Sequence, residues 1–205
     1  YQEQERLKKL ERWCAARKLQ YSGLSDSHVD EAYRGIHLFE QGFDRYGIHF
    51  ATGAFHDFKT SSFDYHYKVV VQAGKRRRTQ SYWHTVAVIE SNVALETLDI
   101  RAENILDKVA QLAGFDDINF ESAEFSRRFH VKAPNRKWAY DVLHARAMEF
   151  LLSHKITPSI HFTAGLVFVW MKGKQSAEVR DQILRIGSGL IKQLPNYIKK
   201  ENSFA

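Results

Sequence analysis

The feature that most constrains the fold is a long stretch of alternating apolar and polar residues in the middle of the chain. From Phe63 to Val71 every second residue is aromatic or β-branched, and polar residues occupy most of the positions between them. A period of two predicts a strand with one buried face. A second strand is predicted over residues 79–90, and residues 73–78, with the sequence AGKRRR, predict a hairpin loop between the two.

Further strands and helices are predicted on both sides of this hairpin. Helical periodicity covers residues 2–18, 29–34, 101–114, 134–154 and 176–198, and short strands are predicted at 48–58, 95–100, 117–120, 127–132, 159–163 and 166–171. A bulge or a close backbone approach is predicted near Gly53, and a bend at Lys59. Two clear hairpins favour an antiparallel sheet over a doubly wound parallel one. We therefore expect an α+β fold, a largely antiparallel sheet with four to five helices packed on it.

The chain of 205 residues contains 11 Gly and 3 Pro, and no stretch rich in either marks a boundary between domains. We expect an N-terminal helix over residues 1–20, a single α+β domain over 21–198 and a frayed tail over 199–205. The hydrophobic fraction of 44% is typical of a globular protein. Because the single cysteine, Cys14, cannot form an internal disulfide, the chain suits a reducing compartment such as a cytoplasm.

Common catalytic motifs do not occur in the sequence. We find no phosphate-binding P-loop, no dinucleotide-binding glycine motif, no HExxH and no nucleophile elbow. One enzymatic alternative remains, a metal-dependent or hydrolase-like site formed by Asp64, His66 and His84 on neighbouring strands. A solvated polar stripe opposite an apolar face explains the same residues, so we predict no catalytic set, no metal and no cofactor.

Basic residues give a more concrete prediction. The net charge of +6 permits binding to nucleic acid, to anionic lipid headgroups or to acidic proteins. The candidates for binding an anion lie in the hairpin loop, before a predicted strand and at the start of a predicted helix: Lys75, Arg76, Arg77, Arg78, Arg127, Arg128, Arg136 and Lys137. Nucleic acid is the least supported partner, because strand alternation buries one or both of the aromatic residues Tyr82 and Trp83 that follow the loop.

Two phrases in the sequence carry a resemblance. The first is Gly53 followed by FDYHY at residues 63–67. The second is FESAEFSRRFHV at residues 120–131, followed by Asn135 and by Ala139, Leu143, Met148, Leu151 and Leu152. From about residue 45 onward the chain resembles a family of uncharacterised bacterial membrane-anchored proteins. The resemblance implies a soluble domain that faces the cytoplasm after one or two membrane helices. It implies no activity and no functional residues.

We therefore expect a cytoplasmic, non-enzymatic binding or scaffolding domain, anchored to the membrane through a segment outside this chain. Residues 1–18 would then form a juxtamembrane helix. Its basic residues, together with those of the hairpin loop, would face anionic headgroups if the two groups lie at one end of the domain. The candidates on the helix are Arg6, Lys8, Lys9 and Arg12.

Overall fold

A computed structural model describes residues 1–74, 76–102 and 116–201, and its centre is one antiparallel sheet of eight strands. The strands are β1 (Gln20–Ser22), β2 (Phe43–Phe55), β3 (Phe58–Ala73), β4 (Arg76–Glu90), β5 (Leu98–Ala102), β6 (Phe129–Lys132), β7 (Ser159–Thr163) and β8 (Leu166–Lys172). Their order in the sheet is β1-β2-β3-β4-β8-β7-β5-β6. The predicted α+β class is confirmed.

Helices flank the sheet on both faces. They are α1 (Gln2–Arg17), α2 (Val29–Ala32), α3 (Ala123–Arg128), α4 (Arg136–Val142), α5 (Ala145–Ser153), α6 (Ala177–Gln193) and α7 (Asn196–Glu201), and a 3-10 helix covers His37–Glu40. No helix among the described residues is both long and apolar enough to cross a membrane.

Several predicted elements differ from the structure. The predicted helix over 134–154 is two helices, α4 and α5, separated at Leu143 and His144. The predicted helix over 176–198 ends at Gln193, because Pro195 follows and α7 then begins. Residues 117–120 form no strand, and residues 123–128 form a helix because the Ser122 hydroxyl accepts a hydrogen bond from the backbone N–H of Phe125. The predicted helix over 101–114 begins inside β5, and its residues after Ala102 lie outside the described part.

The meander β2–β3–β4 corrects three local predictions. The β2–β3 turn is at His56 and Asp57, both with positive φ, and not at Lys59. Irregular pairing occurs before and after Gly47 and not at Gly53, so of the two alternatives predicted for Gly53 the structure shows the close approach, to Leu19, and not the bulge. The β3–β4 register is continuous up to the pair Ala73↔Arg76. The predicted loop over 73–78 is therefore a tight turn, and Arg76–Arg78 belong to β4.

The sheet packs its two faces differently. One face carries aliphatic residues of β4, β5, β7 and β8 under α4, α5 and α6. The other face carries an aromatic cluster that includes Phe39, Phe63, Tyr65 and Phe168, under α2 and the 3-10 helix. Helix α1 packs Leu10 and Cys14 against Leu19 and Ala51. Burial raises the pKa of the Cys14 thiol to about 11, which fits the expectation that Cys14 is a packing residue.

Two glycines in α6 allow close packing at a cost in helix propensity. A Cβ at Gly187 would lie 2.4 Å from Ile89 Cδ1 of β4, and one at Gly189 would lie 2.4 Å from Phe150 Cζ of α5. Ile89 is fully buried, whereas Phe150 is only partly buried. The β4 contact therefore has less room to adjust than the α5 contact.

This difference gives a prediction for alanine substitutions in α6. We expect Gly187→Ala to lower the free energy of unfolding by about 1–2 kcal/mol, because overpacking against Ile89 outweighs the gain in helix propensity. Gly189→Ala should cost less, since Phe150 can rotate toward solvent. Urea unfolding followed by circular dichroism measures both. A Gly187→Ala variant at least as stable as the unsubstituted protein would contradict the close packing of α6 on β4.

Candidate functional site

Asp64, a candidate in the enzymatic alternative, is a fully buried ion-pair residue. Its Oδ2 accepts a hydrogen bond from Arg6 Nη2 at 2.8 Å, and its Oδ1 accepts one from Thr85 Oγ1 at 2.7 Å. Arg180 Nη2 lies 2.8 Å from Oδ1, and both side chains have no exposed surface. The Arg180 contact is a buried ion pair, in which the Asp64 charge opposes the lowering of the Arg180 pKa by burial. The carboxylate is therefore occupied by structural partners.

His66 and His84 project from opposite faces of the sheet. The β3–β4 register pairs His66 with Trp83 and His84 with Tyr65. His66 lies between the rings of Tyr46 and Trp83, with centroid distances of 4.7 and 4.6 Å. His84 stacks on Tyr67, on the other face, at 5.7 Å. The two imidazoles do not converge with Asp64 on one ion.

Metal binding finds no support elsewhere in the described residues. They contain no group of three or more histidine, cysteine, aspartate or glutamate side chains placed to hold an ion. Burial lowers the pKa of His66, and the backbone carbonyl of Asp44, 3.2 Å from Nδ1, opposes this effect. These surroundings are those of a packed histidine in a sheet.

The residues predicted to bind an anion are spread over several elements. Arg128 donates four hydrogen bonds that hold the end of α5, to the carbonyls of Leu152, His154 and Ile156 and to Thr157 Oγ1. Lys137 pairs with Asp141 at 2.8 Å. Arg127 and Arg136 are exposed on α3 and α4, and Lys75 lies outside the described residues. Arg128 and Lys137 thus already have structural partners.

Arg76, Arg77 and Arg78 remain as exposed cations on a projecting ribbon. Strand β2 pairs with β3 only as far as Lys68, and β8 pairs with β4 only from Thr85. We call the two-stranded part beyond these limits, residues 69–74 and 76–82, the arm. The three arginines are exposed and form no ion pair with the described residues. Tyr82, at the base of the arm, stacks on Tyr67 with a centroid distance of 5.3 Å.

The arm and the start of α1 lie at the same end of the sheet. Glu3 contacts Lys174 at 3.0 Å, and Lys174 Nζ lies 4.1 Å from the centroid of Trp83, next to the arm. Helix α1 then runs away from the arm, so that Arg17 lies over Phe55 beside the β2–β3 turn. The start of α1 and the base of the arm, which both carry candidate basic residues, therefore lie at the same end of the sheet.

Individual cations of α1 are placed differently from the prediction. Arg6 is held by Glu3 and Asp64, and its side chain is only 14% exposed. Lys8 pairs with Glu5 at 3.3 Å, whereas Lys9 and Arg12 line a groove between α1 and α6. Arg6 is thus a structural residue, whereas Lys8, Lys9 and Arg12 are exposed, as are the arginines of the arm.

Strands β5 and β7 carry a buried polar face that was not predicted from the sequence. Asp99 Oδ2 accepts hydrogen bonds from Arg101 Nε at 3.1 Å and Nη2 at 2.6 Å. Asp99 Oδ1, which is buried and has no hydrogen-bond partner, lies 4.0 Å from His161 Nδ1. Burial lowers the pKa of His161, and the Asp99 charge opposes this. The signal was the alternation D-x-R in residues 99–101 and S-x-H in residues 159–161.

A small polar cleft lies beside this face. Its volume is about 50 Å³, enough for a few water-sized groups. The lining residues come from the 3-10 helix and from five strands: His37, Leu38, Gln41, Tyr67, His84, Arg101, Ser159 and Trp170. Within the described part of the chain Ser159 and His161 share no hydrogen bond, so the face does not present the nucleophile–base pair that covalent catalysis needs.

Comparison with known proteins identifies the fold. No protein-family model and no curated protein matches the sequence. Among solved structures, the chain is similar to the crystal structure of the mycobacterial trehalose monomycolate transport factor A, TtfA. The TM-score is 0.67 at 12% sequence identity, and the match covers 93% of this chain and 96% of TtfA. At this identity the likeness shows a shared α+β fold.

The Asp64 ion pair gives a prediction for stability. We expect Asp64→Asn to lower the free energy of unfolding by about 3–5 kcal/mol, because it leaves the buried Arg180 guanidinium uncompensated. The double variant Asp64→Leu/Arg180→Met should be more stable than Asp64→Asn, since it removes both charges. Urea unfolding at pH 7 measures the series, with the exposed Asp57→Asn as a control within about 0.5 kcal/mol. If the effects of Asp64→Leu and Arg180→Met, each measured singly, add strictly to the effect of the double variant, the two residues are not coupled.

His161 gives a prediction for pH dependence. Because burial lowers its pKa in the folded chain, the unfolded chain binds the proton first as the pH falls. Stability should therefore decrease from pH 7.5 to 5.5, by at most about 1.4 kcal/mol per pH unit for each such histidine. His161→Asn should flatten this slope, leaving the part due to His49, His56 and His66, whose pKa values burial also lowers. The exposed His28→Asn is the control, and an unchanged slope in His161→Asn would refute the argument.

Proposed function

We propose that this chain is a non-enzymatic binding domain that works at an anionic membrane surface. The end that carries the arm and the start of α1 would face the headgroups. The observation that carries the proposal is the position of Arg76–Arg78, exposed and without an ion pair to any described residue, at the end of the sheet where α1 begins. A chain segment that leads from a membrane into α1 would bring the arm close to the same surface.

Two further observations support a binding role over catalysis. The polar groups that suggested an enzyme are occupied: Asp64 by Arg6 and Arg180, and His66 by aromatic rings. The polar face of β5 and β7 contains an ion pair of Asp99 with Arg101. Each of these groups therefore already has a partner within the sheet or on a helix packed against it, whereas the arginines of the arm are exposed.

The fold comparison suggests the setting. TtfA is named as a transport factor for trehalose monomycolate, which is a glycolipid. We propose that the present chain uses the shared fold in a similar setting, as an accessory domain in the transport of a membrane lipid. In this setting the domain positions partners at the bilayer and carries out no chemistry on the lipid.

The strength of the interaction limits what the arm can do. A basic side chain near an anionic membrane contributes about 1 kcal/mol, so three arginines contribute about 3 kcal/mol. This is on the order of a 100-fold preference for an anionic over a neutral surface. Such a preference orients a domain but does not hold it on the membrane. The holding would come from an anchor, as the resemblance to membrane-anchored proteins implies.

Vesicle co-sedimentation tests the proposal. At low salt we expect the protein to prefer anionic over neutral vesicles by on the order of 100-fold. Reversal of the arm charges in Arg76→Glu/Arg77→Glu/Arg78→Glu should reduce binding to anionic vesicles at least tenfold. Physiological salt should weaken the binding of the unsubstituted protein, because the arginines are exposed and screened.

A matched control separates the arm from net charge. Arg127, Arg136 and Arg146 are exposed on other elements, and none has an ion pair with a described residue. Their triple reversal to glutamate changes the net charge by the same amount and should retain binding within about threefold. Equal loss in the two triple variants, or no preference for anionic vesicles, would reject the proposed orientation.

A further inference from the structure

The outer half of β4 has an open edge. Strand β8 pairs with β4 over residues 85–90, and the last backbone contact toward the arm is from Gly173 N–H to Trp83 O at 2.6 Å. Beyond Trp83, no described residue forms a hydrogen bond with this edge. The β3–β4 register continues without irregularity to the pair Ala73↔Arg76, so no bulge interrupts the edge.

Strand parity shows which backbone groups face this edge. Ser91 N–H donates to Gly165 O, and Trp83 O accepts from Gly173 N–H, so odd-numbered residues of β4 point toward the β8 side. Even-numbered residues point toward β3 by the same alternation. Arg77, Thr79 and Ser81 therefore present their N–H and C=O groups to the open edge, and none of these groups has a partner among the described residues.

This edge lacks most of the features that protect edge strands. Residues 76–82 contain no proline and no bulge. Their only protection is positive charge, at Arg76 and Arg78 on one face and at Arg77 on the other. Charge of one sign opposes pairing with a second copy, because the arginines of both copies would meet. The same charge favours a strand that carries carboxylates.

We propose that residues 77–81 of β4 bind an extended acidic segment of a partner protein as an added strand. The partner backbone would pair with Arg77, Thr79 and Ser81, as in other cases of strand addition to a sheet edge. Its acidic side chains would lie beside the arginines on the two faces. The other edge of the arm is open at Val70 and Gln72 and carries no charge, so charge complementarity selects the β4 edge. The inference goes beyond the proposed membrane role and does not depend on it.

A labelled peptide of nine alternating glutamate and valine residues serves as the probe, with a lysine–valine peptide as the charge control. Fluorescence anisotropy should show binding of the glutamate peptide and at least tenfold weaker binding of the lysine peptide. Hydrogen exchange measured by NMR should show new protection at the amides of Arg77, Thr79 and Ser81. The amides of Val70 and Gln72 should not change.

Two substitutions at one position separate strand addition from charge attraction. Thr79→Pro removes the central N–H on the open edge and leaves the pairing of β4 with β3 intact, because residue 79 does not bond to β3. We expect it to weaken peptide binding at least tenfold, whereas Thr79→Ala should retain binding within threefold. Circular dichroism and urea unfolding check that both variants fold. Equal binding by Thr79→Pro and Thr79→Ala overturns the proposal.

Other outcomes identify different occupants. If Val70→Pro and not Thr79→Pro abolishes binding, the partner strand lies on β3 and the proposal is wrong. If the protein without peptide is a dimer that Thr79→Pro dissociates, the edge pairs with a second copy. Thr79→Pro keeps all three arginines and should bind anionic vesicles normally. If the unsubstituted protein binds the peptide but not anionic vesicles, only the membrane proposal is rejected. If it binds anionic vesicles but not the peptide, only strand addition is rejected.

Discussion

The arrangement of helices and sheet depends on the contacts of one buried carboxylate, that of Asp64. It joins β3 to α1 through Arg6, to α6 through Arg180 and to β4 through Thr85. The two arginines extend the connection, since Arg6 Nη1 donates to Gln175 O before α6 and Arg180 Nη1 donates to His49 O in β2. A buried charge is costly unless it is paired, so these elements can shift only together.

The position of this ion pair also determines what remains uncovered. Helices α1 and α6 meet the sheet at the level of Asp64, and β3 continues for nine residues beyond it, to Ala73. Because neither β2 nor β8 follows β3 and β4 to their ends, no strand of the described residues lies beside the arm. The contact that fixes the start of α1 near Trp83 thus also places it at the end from which the arm projects.

The sequence predicted the strands and hairpins well because their period of two is a local property. It could not predict the role of Asp64, whose partner Arg180 is 116 positions away on a helix face adjoining the apolar stripe of Ile183 and Ile186. The face of His84 depended on one residue of register, because a hairpin centred on residue 75 would pair His66 with His84 on one face, whereas the observed register pairs His66 with Trp83. The break between α4 and α5 has no glycine or proline to mark it. The ion pair of Asp99 with Arg101 was visible only as an alternation of polar residues.

The arm combines two properties that a stable protein ordinarily avoids. A two-stranded ribbon is marginal by itself, and three or more strands are needed for independent stability. The arm gains support at its base from the stack of Tyr67 and Tyr82, but toward the tip it has exposed side chains such as Val70, which is 53% exposed. A ribbon of this kind has backbone N–H and C=O groups along β4 without hydrogen-bond partners among the described residues. The arginines restrict which strands can pair with these groups. Positive charge therefore serves as protection against self-association and, toward an anionic partner, as attraction.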